Sequence, residues 1–172
     1  MRGTAELVKL QGSAADEVQP RRILFVCTGN TCRSPMAAAL FNHLVRTREG
    51  ATVATSAGLY AREGDLITTA AAEALAEAGV SCTPQNDYRA HRARLVGAAL
   101  LKEADEVIAI TGGHAMELMM RFPEHAAKIG TLGVDIPDPF GGDGEAYRRC
   151  LEMLTYAIRR KWFPEESGDE GN

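Results

Sequence analysis

The stretch RRILFVCTGNTCRSPMAAAL, residues 21–40, contains the passage from a strand to a helix. It begins with the short apolar run ILFVC, which is typical of a strand buried on both faces. After the polar segment at 28–33, the pattern SPMAAALFNHLVRT at 34–47 has the spacing of an amphipathic helix. A buried strand, a short polar loop and a helix form the first half of a βαβ unit, which predicts a parallel sheet.

The same alternation of strand and helix patterns continues along the chain. We predict an α/β fold: one domain with an open parallel sheet of about four strands and helices on both faces. The further strands are predicted at 51–58, 105–111 and 127–133, and the further helices at 65–80, 94–104, 112–122 and 144–163. Gly79 has the position of the glycine that ends a helix.

Length and composition limit the classes of protein. A chain of 172 residues with 45% hydrophobic content suits one core. With 19 basic and 23 acidic residues, the net charge of −4 argues against nucleic acid as a partner. No segment approaches the roughly 20 apolar residues of a membrane span, and the N-terminus lacks the apolar block of a signal peptide. We therefore expect a cytoplasmic monomer without a membrane partner.

The ends of the chain differ in composition from its middle. Residues 1–20 are polar with weak periodicity, and 164–172 are acidic and rich in glycine. We expect a flexible N-terminal extension at 1–20, a working domain at 21–163 and a flexible tail at 164–172.

The loop after the first strand has the features of an anion site. Ligands of open α/β sheets bind beyond the carboxyl ends of the strands, where Cys27 lies. Gly29 and Asn30 tolerate positive φ, so the loop can turn its N–H groups inward. Ser34 fits a helix N-cap and Pro35 the first helical position, which would direct the helix N-terminus at the loop.

The spacing of Cys27 and Arg33 suggests phosphoryl transfer. A guanidinium, loop amides and a helix N-terminus favour the thiolate, which is the nucleophilic form of cysteine. Arg33 presents a planar fork suited to two phosphate oxygens. The competing interpretation is an ordinary turn with an inert buried cysteine, and the ordered set of residues here argues against it. The phosphoryl group would be surrounded by Thr28, Gly29, Asn30, Thr31, Cys32 and Ser34.

The segment VCTGNTCRSPMAAAL resembles the phosphate-binding loop of the low-molecular-weight protein tyrosine phosphatase family. Three further motifs match that family in the same order: a Ser-Ala-Gly at 56–58, a histidine at His91 in YRAHRARL, and an Asp-Pro at 138–139 in DPFGG. The resemblance covers nearly all of 21–163. It implies a cysteine-dependent protein phosphatase that forms a phosphocysteine and needs no cofactor and no metal.

The resemblance also assigns roles to individual residues. Asp138 would protonate the leaving group and then act as base toward water, whereas nearby Asp135 lacks the Asp-Pro context. Ser34 would hydrogen-bond the Cys27 sulfur. The family places equivalents of Ser56 and His91 in a buried network with Asn30. The other histidines, at 43, 114 and 125, match nothing and are interpreted as surface or core residues.

Cys32 lies five residues after Cys27, and the resemblance implies that the two thiols form a protective disulfide on oxidation. Two other functions remain open. A thioredoxin-coupled arsenate reductase would need a second cysteine near Cys82, which is absent, and Cys150 is expected to face elsewhere. A phosphoresidue-binding or redox-sensing module would not need the complete set of Cys27, Arg33 and an acid.

Thr31 bears on the substrate. Tyrosine phosphatases of this family usually have a bulky aliphatic residue there and aromatic residues around the mouth of the site. Here Phe140 is the single aromatic residue of DPFGG, and the only tryptophan is Trp162. The sequence resembles the protein-arginine phosphatase branch, in which this threonine marks a preference for phosphoarginine. The expected partners are phosphorylated proteins carrying phosphoarginine, with phosphotyrosine as the alternative.

Overall fold

Strand β1 (Arg21–Cys27) lies in the interior of the sheet, and its last five residues are buried. It pairs in parallel with β2 (Thr52–Gly58) on one side and with β3 (Glu106–Ala109) on the other. Strand β4 (Ile129–Thr131) pairs with β3, which gives the order β2-β1-β3-β4. The computed structural model describes residues 19–46 and 51–164. Because all pairs are parallel, the carboxyl ends of the strands share one edge.

Helices cover both faces of the sheet, as the sequence predicts. Ile23 and Phe25 of β1 pack into one hydrophobic cluster with the first, second and last helices, and Leu24 and Val26 pack into another cluster on the opposite face. The helices are α1 (Arg33–Val45), α2 (Thr69–Glu77), α3 (Ala98–Glu103), α4 (Gly112–Arg121) and α5 (Gly144–Trp162), with 3-10 turns at Tyr88–Ala90 and Pro123–Lys128.

Two helices are shorter than predicted by more than one residue. The side chain of Thr68 accepts a hydrogen bond from Ala71 N and caps α2, so residues 65–68 precede the helix. Helix α3 begins only after Gly97, because the backbone before it pairs with β2 at the bridge between Gly58 and Leu95. The predicted helix end at Gly79 is confirmed by its φ of 79°.

The start of α1 also differs from the prediction. Cys32 takes the N-cap position and Arg33 is the first helical residue, so Ser34 is not the cap and Pro35 is third in the helix. Proline is tolerated there because the first N–H groups of a helix have no intrahelical acceptor. The hydroxyl of Ser34 is instead directed toward the Cys27 sulfur.

The last helix is joined to the sheet by aromatic side chains. The ring of Trp162 lies 5.2 Å from that of Phe41 and 6.0 Å from that of Phe25. No helix in the described ranges is long and apolar enough to cross a bilayer. Most of the predicted extension and tail, at 1–18 and 165–172, falls outside the described residues.

Candidate active site

The loop after β1 forms most of a cleft of about 220 Å³ at the carboxyl edge of the sheet. Residues 27–33 line it together with Asp138 and Phe140, which come from the segment between β4 and α5. Parallel topology accounts for this meeting, since both segments leave strands at the same edge. The predicted residues on these two segments are therefore brought together.

The sulfur of Cys27 lies at the base of the cleft and is surrounded by donors. Its Sγ is 2.9 Å from Ser34 Oγ and accepts a hydrogen bond from Asn30 N at 3.3 Å. Helix α1 begins directly behind it, and no side chain caps the helix N-terminus. The partial positive charge of that terminus is thus directed at the sulfur and at any anion above it.

Asn30 shapes the loop from within. Its φ of 57° lies in the left-handed region, which asparagine tolerates better than most residues. Its side-chain amide donates to Ser34 Oγ at 2.8 Å and to Ser56 Oγ at 2.9 Å. Of the two loop residues that tolerate positive φ, only Asn30 uses it: among the described residues outside glycine no other has positive φ, and Gly29 is not one of the positive-φ glycines.

Gly58, at the end of β2, supports the loop from behind. A Cβ at this position would lie 2.5 Å from the backbone oxygen of Thr28 and 3.0 Å from Asn30 N. Both neighbours are backbone atoms, so only glycine fits without displacing the loop. This close approach explains why the third residue of the Ser-Ala-Gly at 56–58 is a glycine.

His91 and Arg94 complete the network behind Asn30. His91 Nε2 donates to the backbone oxygen of Asn30 at 2.7 Å, and burial lowers the pKa of this imidazole below its ordinary value of 6.5. The N–H of Arg94 donates to Asn30 Oδ1 at 2.9 Å, and its guanidinium donates to the backbone oxygen of Ser56. The sequence motifs indicate His91 but give no sign of Arg94.

Arg33 is 6% exposed and reaches across the loop into the cleft. One guanidinium nitrogen donates to the backbone oxygen of Ile136 at 3.0 Å, which fixes its plane. The other lies 3.4 Å from Thr28 Oγ1 and 3.5 Å from Asp138 Oδ2. The fork is therefore held in place at the cleft.

The two candidate acids are in different surroundings. The Asp138 side chain is 51% exposed and lines the cleft, and its Oδ1 accepts a hydrogen bond from Phe140 N at 3.1 Å. Asp135 Oδ1 accepts from Gly112 N at 2.8 Å, at the first residue of α4. Asp135 thus binds the first N–H of α4, whereas Asp138 lines the cleft beside Arg33.

Cys32 is buried beneath the loop, where its sulfur lies 3.4 Å from the Tyr147 hydroxyl and 3.6 Å from Thr68 Oγ1. Burial and the Cys32 contact raise the pKa of Tyr147 to about 12. All four cysteines are free thiols. Cys150 does not face away as expected: it is buried in the same core cluster as Cys27 and Cys32, and burial raises its pKa to about 12.

His114 lies at the loop, although its sequence context gave it no role. It is the third residue of α4, and its Nε2 is 2.9 Å from Thr28 Oγ1. No local motif marks it, because 86 positions of sequence separate the two residues.

Comparison with known proteins agrees with the geometry of this site. The model of the family described as low molecular weight phosphotyrosine protein phosphatase matches residues 22–167. The chain belongs to that family. Members of the low-molecular-weight phosphatase family are cysteine-dependent protein phosphatases, and this chain is a phosphoprotein phosphatase.

Individual relatives include phosphatases with two different names. A protein-arginine-phosphatase of Geobacillus stearothermophilus is 41% identical over 148 residues, covering 82% of this chain and 93% of the relative. One from Bacillus subtilis (strain 168) is 36% identical, covering 80% and 92%. The structure of a low molecular weight protein tyrosine phosphatase from T. tengcongensis aligns with a TM-score of 0.75 at 38% identity, covering 82% of this chain and 97% of that one.

Proposed function

We propose that this phosphatase removes phosphate from phosphoarginine in proteins, through a phosphocysteine on Cys27. The observation that carries the proposal is the wall of the cleft, in which Thr31 takes the place of a bulky aliphatic side chain. The similarity to two protein-arginine-phosphatases supports it. Phosphotyrosine is the second candidate, favoured by the exposed ring of Phe140 at the rim.

The wall suits a guanidinium better than a phenyl ring. Thr31 is half-buried and fixed through its backbone oxygen, which accepts from Thr68 N at 3.0 Å. Its hydroxyl adds polarity where an isoleucine would add bulk. Among the residues that the structure describes, Phe140 is the one aromatic side chain that lines the cleft, and Trp162 packs in the core. Stacking of a substrate ring on an aromatic side chain would therefore depend on Phe140 alone.

The first chemical step would be attack by the Cys27 thiolate on phosphorus. The S–P bond forms as the P–N bond breaks, and protonated Asp138 delivers its proton to the departing guanidino nitrogen. Arg33 and the loop amides would stabilise the negative charge on the equatorial oxygens. Because Arg33 already donates hydrogen bonds to Ile136 and Thr28, its guanidinium needs little reorganisation when the transition state forms.

The second step would hydrolyse the phosphocysteine and regenerate the free enzyme. Asp138, now a carboxylate, takes a proton from water, the water oxygen attacks phosphorus, and the S–P bond breaks to regenerate the thiolate. Ser34 Oγ, 2.9 Å from the sulfur, would stabilise the departing thiolate by donating its hydroxyl proton. Asn30, Ser56 and His91 would act indirectly, by holding the loop.

Three further assignments belong to this proposal. The catalytic unit is 21–163, which nearly coincides with the family match at 22–167. Four free thiols suit a reducing, cytoplasmic setting, and we assign the protein there as a monomer.

Under oxidation, the sulfenic acid of Cys27 would condense with the Cys32 thiol and release water, which protects the nucleophile until a thiol reductant restores it.

The test compares kcat/KM on one peptide phosphorylated at arginine and on the same peptide with phosphotyrosine at that position. We expect the wild type to prefer phosphoarginine and Thr31→Ile to reduce or reverse the preference. Thr55→Ile, at an exposed position of β2, is the matched control and should leave the ratio unchanged. A wild-type preference for phosphotyrosine would contradict the proposal and leave the second candidate.

A further inference from the structure

His114 connects the first turn of α4 to the loop. Its Nε2 lies 2.9 Å from Thr28 Oγ1, and its Nδ1 lies 3.0 Å from Thr111 Oγ1. The same Thr111 oxygen accepts the backbone N–H of His114 and caps the helix. Both ring nitrogens therefore have partners, which fixes the imidazole in one orientation against the loop.

Thr28 in turn contacts the guanidinium of Arg33. Thr28 Oγ1 accepts from Arg33 at 3.4 Å, since a guanidinium only donates. When His114 Nε2 carries the ring proton, Oγ1 accepts from both residues, and its own hydroxyl proton is free for an oxygen of a bound phosphoryl group. A series of hydrogen bonds then runs from His114 through Thr28 to Arg33 and ends in the cleft.

Thr28 needs such support because it is an exposed residue of the loop. Its backbone oxygen is held by the N–H of Tyr60 at 2.9 Å, but that bond leaves the hydroxyl free to rotate. The imidazole is half-buried, and burial is the first cause of its lowered pKa, followed by the charge of Arg33. The pKa of His114 is raised, in the opposite direction, by the negative charges of Glu117 on α4 and of Asp135 and Asp138 on the segment after β4.

We propose that His114 is a positioning residue for phosphoryl transfer: through Nε2 it fixes the Thr28 hydroxyl, and through that hydroxyl the outer nitrogen of Arg33. Its loss would weaken the contacts to the equatorial oxygens, so kcat/KM should fall. This inference rests on the proposed role of the loop in catalysis. It concerns how the loop is held and is independent of the choice between arginine and tyrosine.

The experiment measures kcat/KM for para-nitrophenyl phosphate together with Tm. We expect His114→Ala to reduce kcat/KM about tenfold, the scale of one lost hydrogen bond to a charged network. Glutamine can reach the Nε2 position, whereas asparagine reaches only the Nδ1 position. His114→Gln should therefore recover most of the loss and His114→Asn should not. His125→Ala, before β4 at the opposite edge of the sheet, is the control.

A second arm places His114→Ala in a Thr28→Val background, where no further loss is expected, because the residue through which His114 acts is already missing. Unchanged kcat/KM in His114→Ala, equal activity of the Gln and Asn variants, or a full additional loss in the double variant would overturn the inference. If His114→Ala lowers Tm, the comparison of the Gln and Asn variants decides. Turnover that survives Cys27→Ser would instead refute the proposed function.

Discussion

At the scale of single residues, Asn30 connects the shape of the loop to groups behind it. Its left-handed backbone turns its N–H toward the Cys27 sulfur, while its side chain bonds Ser34 and Ser56. His91 binds the backbone carbonyl of the same residue. The loop is therefore stabilised by polar groups that are buried or half-buried, and one of these, His91, responds to pH.

Substituting His91 should change the pH dependence of stability. Burial lowers the pKa of His91 in the folded protein below 6.5, so the unfolded chain binds a proton more readily. Its contribution to stability is then fully present above pH 6.5 and decreases as pH falls toward the folded pKa. In His91→Gln, which keeps a donor for Asn30, the free energy of unfolding should fall less between pH 7 and pH 5.

Urea unfolding at the two pH values measures this difference. His125→Gln is the control, since His125 lies away from the loop in the 3-10 turn before β4. An identical fall in stability for the wild type and His91→Gln would contradict the prediction.

At the scale of elements, β2 acts as the rear wall of the loop. Its last residue, Gly58, leaves no room for a side chain beside the oxygen of Thr28. The sequence contains this glycine in a recognisable triplet, but the reason for it lies in the pairing of β1 and β2, which puts Gly58 beside Cys27.

Gly58→Ala should reduce kcat/KM by about 100-fold or more, because the loop backbone must move and displacements of about 1 Å at a reacting centre have effects of this size. Gly130→Ala in β4 is the matched control, with no atom within 4 Å of the added Cβ. Activities of the two variants on para-nitrophenyl phosphate test the prediction, and similar activities would contradict it.

At the scale of the whole molecule, local patterns predicted the elements and the loop, but not the contacts between distant segments. The strand pattern at 21–27 and the helix pattern after it depend on neighbouring residues, and both are confirmed. Arg94, His114 and Tyr147 reach the loop from 64, 86 and 115 positions away. Such contacts arise only when the sheet forms, so no local spacing indicates them.

Trp162→Ala tests how far the core and the cleft are independent. Removing this ring from its contacts with Phe25 and Phe41 should lower the free energy of unfolding by about 3 kcal/mol. The ratio of kcat/KM for the two phosphopeptides should stay unchanged. Urea unfolding and the peptide assay measure the two quantities, and a changed ratio would show that α5 influences the choice of substrate. Tyr156→Ala, exposed on the same helix, is the control.

The place of Trp162 also provides an optical signal. It is the only tryptophan in the chain, and it lies 15 residues along α5 from Tyr147, which contacts the loop at Cys32. At about 1.5 Å per residue this is roughly 22 Å of helix. Indole emission should therefore change when the core opens and remain constant when the cleft fills, so fluorescence can follow unfolding in the presence of any substrate.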